Sequence, residues 1–354
     1  MTETPLDPTR LSEKAKSLHD NLTARVVGQP RAIKEVVSVY VPMTVNMHRP
    51  GRPLGVLLFM GPTGVGKTET VRAVAKTLLG SRDAITRIDC IEYQESHECA
   101  KLFGSPPGYV GYNDTPRLAQ KVIDKHQTDK VKINVVLFDE IEKGHARLFD
   151  AIMTVLGDGR LTLANGEQVT FENTIIVLTS NLGSAEMRKI IEGQSLGYAT
   201  KTETREDLDT LLYKASKSAA QKLFRPEFMN RIDRIIVFRS LSRESLEKIL
   251  KIEIDDLHWR IWESPWRGRV WAKGERPESL SVVFRLTDAA TEFIIKEGTS
   301  ELYGARELNR AVDRFIGFPM ASLISTGQIV AKDRIKVDLK DGDTDLTFVK
   351  LERL

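Results

Sequence analysis

The stretch that decides the fold is Leu54-Gly-Val-Leu-Leu-Phe-Met-Gly-Pro-Thr-Gly-Val-Gly-Lys-Thr68. Its first half, Leu54–Met60, is a short, continuously apolar run, as in a strand covered on both faces. Its second half, Gly61–Thr68, fits G-x-x-x-x-G-K-[ST]. Val71, Val74, Ala75 and Leu78 then recur at helical spacing. Strand, glycine loop and helix, in that order, give this motif its mechanism. Glycines let the main chain wrap closely round phosphates with successive N–H groups turned inward, and the helix N-terminus favours an anion. The backbone of Gly61, Pro62, Thr63, Gly64, Val65 and Gly66 would hold the phosphates. Lys67 would neutralise the outer two, and the Thr68 hydroxyl would ligate Mg²⁺.

Similar apolar runs recur at Ile85–Ile88, Ile133–Phe138, Thr174–Leu178 and Ile235–Phe238, with amphipathic stretches of helical length between most of them. That alternation implies an α/β fold, a parallel sheet with helices on both faces, whose ligand lies beyond the carboxyl ends of the strands. Two such ends carry candidate chemistry. After Phe138, Asp139 would hold the metal through water and Glu140 would polarise an attacking water. Two carboxylates after a strand can also be charge at a helix N-terminus, but the phosphate loop upstream favours the catalytic reading. After Leu178 comes Thr179-Ser180-Asn181, where an amide would hydrogen-bond the water or the γ-phosphate. A helix cap explains those residues too, and spacing does not choose between the readings.

Farther out, Asp7-Pro8 reads as the start of a helix carrying Leu11, Ala15, Leu18 and Leu22. A second helix, with Ile33, Val36, Val37 and Tyr40, follows Gly28-Gln29-Pro30. From about Ser240 the pattern is mainly helical. It closes with Arg334–Leu339 and Leu346–Leu351 around Asp341-Gly342-Asp343, a hairpin. The expected division is a helical extension over 1–24, a large unit over 25–239 and a small unit over 240–354. Gly193–Glu206 and Ser264–Ser281 are the least regular stretches.

At roughly 150 residues per domain, 354 residues suggest two domains. With 41% hydrophobic and 29% charged residues the composition is globular. The net charge, 52 minus 49 or +3, speaks against nucleic acid or a membrane surface as partner. Cys90 and Cys99 are the only cysteines, which excludes a disulfide framework. No signal core opens the chain, and no apolar run approaches the ~20 residues that span a bilayer. A cytoplasmic protein is expected.

With those strand ends in place, the chain resembles the AAA+ ATPases of the Clp/heat-shock unfoldase family, in particular the second ATPase ring of ClpA, ClpB or ClpC. The resemblance runs from about Leu18 to Leu351. Val26-Val27-Gly28-Gln29 is similar to the family's adenine-contacting start, Pro106–Tyr112 (PPGYVGY) to its pore loop and Asp158–Thr162 to its second pore segment. Phe224–Asp233 matches its arginine-finger box and Tyr303–Val312 its second sensor box. The resemblance implies a P-loop AAA+ fold with a small, mainly helical C-terminal domain that ends in a β-hairpin. It implies ATP and Mg²⁺ as ligands, with Val26 and Val27 against the adenine. Asn181 becomes the first sensor, Arg306 the second, and Arg231 the finger that reaches a neighbour's γ-phosphate. It further implies a ring, expected to be a hexamer, whose loops of Gly108, Tyr109, Val110 and Gly111 draw unfolded or assembled protein through a pore. An aromatic ring grips chain without recognising sequence, and the flanking glycines let the loop swing.

The family's N-terminal substrate domain, first ATPase ring and, for ClpB, coiled-coil middle domain have no counterpart in this sequence. Only about 25 residues precede the core, too few for an independent domain, so a stand-alone single ring is expected. Gln194-Ser-Leu-Gly-Tyr198 stands where relatives carry a peptidase-docking loop, with Tyr198 in place of the usual Phe or Leu. It is read as an ordinary glycine turn, with peptidase coupling as the alternative. Ile316-Gly317-Phe318 is read as a buried helical segment. All four tryptophans fall between Trp259 and Trp271, among Arg260, Arg267, Arg269 and Lys273. They mark an insertion near 259–276 whose rings are expected to pack on their own domain. An adaptor, a peptidase and a non-threading remodelling role remain alternatives for how the motor is used.

Overall fold

In the computed structural model, residues 6–351 are described except 8, 106–107, 109–113, 130, 196–204, 264–281, 300–303 and 341–344. The chain divides into two compact units, Met1–Pro62 with Gly66–Arg239, and Thr63–Val65 with Ser240–Leu354.

The first unit opens with α1 (Glu13–Arg25), capped by Ser12, whose Oγ accepts from the Ala15 N–H at 3.3 Å. This corrects the helix start expected at Asp7-Pro8. Asp7 instead accepts from the Thr9 N–H at 2.8 Å and the Thr9 hydroxyl at 2.5 Å. Such a local turn competes with helix formation. Leu11 is consequently exposed, whereas Ala15, Leu18 and Leu22 are buried. Next come α2 (Pro30–Thr44), β1 (Gly55–Met60), α3 (Lys67–Leu79), β2 (Thr86–Asp89) and two single turns, α4 (Ala100–Phe103) and α5 (Gln120–Ile123). They are followed by β3 (Asn134–Asp139), α6 (Ala146–Asp158), β4 (Arg160–Thr162), β5 (Gln168–Thr170) and β6 (Thr174–Ser180). The unit closes with α7 (Ser184–Ser195), α8 (Arg205–Leu223), α9 (Pro226–Met229) and β7 (Arg234–Val237). Gly193–Ser195 and Arg205–Glu206, expected to be irregular, are thus helical.

Five of these strands form one parallel sheet in the order β2-β3-β6-β1-β7. Every residue of β1, β3 and β6 is buried, as their unbroken apolar runs require. Asp89 is level with Asp139, Phe138 with Leu178, and Met60 with Ser180. Polar residues therefore emerge together at one edge of the sheet. The short hairpin of β4 and β5 was not legible beforehand, because three-residue strands show no period.

The second unit contains α10 (Arg243–Glu263), β8 (Val283–Leu286), α11 (Asp288–Gly298) and α12 (Ala305–Val312). A π-helical turn, Asp313–Gly317, leads into α13 (Phe318–Ser325), β9 (Arg334–Asp338) and β10 (Thr347–Leu351). β9 and β10 are the antiparallel pair expected at the C-terminus, and β8 adds a parallel strand that sequence reading missed. Leu308, Phe284, Ile294, Ile316 and Val337 share its core. One expectation fails in this unit. Ile316 is buried but Phe318 is 72% exposed. The wider π turn shifts the helix phase and points Phe318 outward. Trp259 is 58% exposed on α10, and the Trp262 side chain lies outside the described residues. Trp266 and Trp271 lie outside the described residues. Among the described residues no helix is long and apolar enough to cross a membrane.

Phe138 is fully buried in the middle of the sheet. Phe138→Ala should cost about 3–5 kcal/mol of unfolding free energy, measured by chemical denaturation, and a loss below about 1 kcal/mol would contradict this packing.

Candidate active site

The glycine loop after β1 is held in shapes that side chains resist. Gly61 has φ 139°, and a Cβ there would lie 2.4 Å from the Phe238 carbonyl oxygen. Gly66 has φ 102° and caps the thirteen-residue α3 without a side-chain hydrogen bond. The helix thus presents its N-terminus, uncapped by a side chain at Gly66, and the positive end of its dipole to the loop, a cradle suited to phosphate. Thr68 follows in the first turn of α3, half-buried.

Lys67, the first residue of α3, is 9% exposed. Its Nζ donates to the Gly61 carbonyl (2.5 Å), the Pro62 carbonyl (2.9 Å) and Asn181 Oδ1 (2.7 Å). Asn181 Nδ2 donates in turn to Glu140 Oε1 at 3.1 Å. Three sequence-predicted residues from three separate elements are therefore joined in one hydrogen-bonded line. Asp139 lies beside them, with Oδ2 accepting from Arg87 at 2.7 Å and Oδ1 from the Thr179 hydroxyl at 2.5 Å. Glu140 itself has φ 53°, a left-handed conformation at a residue other than glycine.

Three residues of this cluster were missed as functional candidates. Arg87 holds Asp139 from β2, and the Thr179 hydroxyl donates to Asp139 and accepts from the Glu140 N–H at 3.0 Å. Glu142 Oε1 accepts from the Asn181 N–H at 2.9 Å, while its Oε2 is buried without a hydrogen-bond partner. Their side chains mark no motif. Only the register of β2, β3 and β6 brings them together.

Val26 is buried at the end of α1, and Val27 is half-buried. Gln29 and Arg239 exchange reciprocal bonds of 2.8 and 3.1 Å, which tie the entry segment to the end of β7. Arg231 donates from Nη1 to the Met153 carbonyl on α6 and fills the space beside Gly157. Arg306 is exposed on α12 of the second unit. In that same unit the Ala305 N–H donates to the Gly64 carbonyl at 3.0 Å. Gly108 has φ 86°, whereas Tyr109, Val110 and Gly111, and Leu196–Tyr198 of the candidate docking loop, lie outside the described residues.

Residues 52–235, just over half of the chain, match the family described as the AAA domain (Cdc48 subfamily), and residues 274–337 match the C-terminal, D2-small domain of ClpB protein. The chain belongs to the Clp-type AAA+ family. This Clp-type chain is 37% identical over 332 residues to the negative regulator of genetic competence ClpC/MecB of Bacillus subtilis (strain 168), covering 94% of this chain and 38% of the relative. It is 37% identical over 336 residues to chaperone protein ClpB of Oceanobacillus iheyensis, covering 94% and 37%. Its fold is similar to a closed-state cryo-EM reconstruction of Hsp104 with ATPyS and FITC casein, with a TM-score of 0.72 at 30% identity, over 96% of this chain and 53% of that one. The chain therefore spans less than two fifths of the length of these two relatives.

The same packing silences a thiol beside the carboxylates. Burial, reinforced by Asp89, Asp139, Glu142 and Glu140, pushes the Cys90 thiol far above its ordinary range. Cys99 is raised as well, chiefly by burial. Both should resist iodoacetamide at pH 8 in the native protein and react after denaturation, as read by mass spectrometry. Rapid native labelling of Cys90 would contradict its placement.

Proposed function

We propose that this Clp-type chain hydrolyses ATP at the seam between neighbouring copies in a ring, expected to be a hexamer, and uses the cycle to pull on or remodel polypeptide. The observation that carries this reading is the line from Lys67 through Asn181 to Glu140, which ties a phosphate-type loop to a carboxylate able to handle water.

The Gly61–Gly66 backbone and the α3 N-terminus would bind the triphosphate, with the Lys67 ammonium trading carbonyl acceptors for phosphate oxygens. Asp139 and Thr68 supply hard oxygen donors of the kind Mg²⁺ takes. Among the described residues no group of three or more His, Cys, Asp or Glu side chains would hold a metal alone, so water and substrate oxygens would complete the shell. Bound Mg²⁺ supplies charge neutralisation at the β- and γ-phosphates. Glu140 orients the water and takes its proton as the new P–O bond forms and the bond to ADP breaks, and the Asn181 amide fixes Glu140 and the γ-phosphate relative to each other. Negative charge gathers on the γ-oxygens in that step, where a guanidinium is worth about 10³–10⁵ in rate. Within its own copy Arg231 rests on α6, away from the Lys67–Glu140 line, which suits a group lent to the next subunit. Residues 25–239 would form the ATPase unit, with Val26 and Val27 beside the adenine, and residues 240–354 the smaller unit that carries Arg306 as second sensor.

The polypeptide-handling half rests on Pro106–Tyr112 and on relatives whose names include a chaperone. Tyr109 would make the grip, with Gly108, Val110 and Gly111 setting the loop's swing.

Glu140→Gln should lower kcat by at least about 10²-fold while a fluorescent ATP analogue still binds, and Arg231→Ala should lower it by about 10³-fold or more. Normal turnover in either variant overturns the role given to that residue.

A further inference from the structure

We infer that Thr179 is a positioning residue of the hydrolytic site: its hydroxyl locks the left-handed Glu140 turn to the Asp139 carboxylate. The inference rests on the hydrolytic reading of Glu140 given above.

Thr179 is 1% exposed, near the end of β6. The β3–β6 ladder runs to Phe138 beside Leu178, so the next residues, Asp139 and Thr179, meet where the strands end. A hydroxyl has one proton to give and lone pairs to receive with, and Thr179 uses both. It donates to Asp139 Oδ1 at 2.5 Å and accepts from the Glu140 N–H at 3.0 Å.

Glu140 needs such support. With φ 53° and ψ 53° it occupies a region that residues other than glycine hold only when their surroundings impose it. Its carbonyl accepts from the Lys143 N–H at 2.9 Å, its carboxylate accepts from Asn181, and its N–H is held by Thr179. Of these three contacts, the Thr179 hydroxyl alone also binds Asp139. Arg87 takes the other oxygen of that carboxylate at 2.7 Å. Thr179 therefore sets the direction of Glu140 relative to Asp139, so the water-activating group is fixed against the metal-binding group by a single oxygen atom.

Two conservative replacements separate hydroxyl from shape. Valine keeps the branched side chain and removes the hydroxyl, leaving the Glu140 N–H and Asp139 Oδ1 without this partner. Serine keeps the hydroxyl and drops the methyl. Steady-state ATPase of the full chain, equilibrium binding of a fluorescent ATP analogue and thermal unfolding would be measured for both, beside Glu140→Gln. Thr179→Val should lose about 10²-fold in kcat, since a displacement of about 1 Å suffices for that. KM and analogue affinity should stay within about threefold, and Thr179→Ser should recover kcat to within about threefold of wild type. If Thr179→Val does not fold, Thr179→Ala takes its place with the same expectation.

Wild-type kcat in the variant lacking the hydroxyl overturns the inference. So does a serine variant as slow as that one, or a loss of nucleotide affinity as large as the loss of kcat. A stalled Glu140→Gln beside a normal Thr179→Val removes only the role of Thr179. A normally active Glu140→Gln removes this inference together with the hydrolytic reading beneath it.

Discussion

A lysine that is nine-tenths buried must be surrounded by acceptors, because an ammonium taken out of water without partners is very costly. Meeting that demand at Lys67 organises the carboxyl edge of the sheet. Two acceptors are carbonyls of the glycine loop, and the third is the Asn181 side chain at the end of β6. The loop is thereby folded back over its own helix. Asn181 is turned so that its amide nitrogen faces Glu140. A substrate phosphate arriving at Lys67 would replace neutral acceptors with charged ones, and Asn181 would carry that change to Glu140.

The sheet makes this economical. β1, β3 and β6 are buried along their whole lengths, so their polar side chains are confined to the ends. The same register that aligns Asp89 with Asp139 gathers four carboxylates, Asp89, Asp139, Glu140 and Glu142, around one small region. Arg87 and Lys67 are the cations bonded within it. Excess negative charge of this kind suits a site that receives a divalent cation with its substrate. The left-handed turn at Glu140 fits the same picture, since strain is kept where surrounding bonds impose it.

What the sequence revealed and what it hid follow from the range of the forces involved. Each fully buried parallel strand writes itself as a continuous apolar run, so β1, β3 and β6 were plainly legible, whereas β2 and β7, only partly buried, left shorter and more broken runs. The phosphate loop was legible because its glycines and lysine stand at fixed short spacing. Thr179, Arg87 and Glu142 were not, because their roles depend on which strands are neighbours and in what register, which no local pattern records. Ser12 was overlooked as the first helix cap because the Asp7–Thr9 turn mimics a helix start. Phe318 was misplaced because one π-helical turn changes which face of the following helix looks outward.

The central claim is that each catalytic centre is assembled from two copies, one supplying Glu140 and the next supplying Arg231. Mixing tests it most directly. Glu140→Gln and Arg231→Ala proteins, each inactive alone, would be combined and allowed to reassemble before ATP turnover is measured. Where a subunit with intact Glu140 meets a neighbour with intact Arg231, a complete centre forms, so activity should reappear in the mixture. If the mixture assembles yet stays as inactive as its components, the two residues do not serve one centre across a seam.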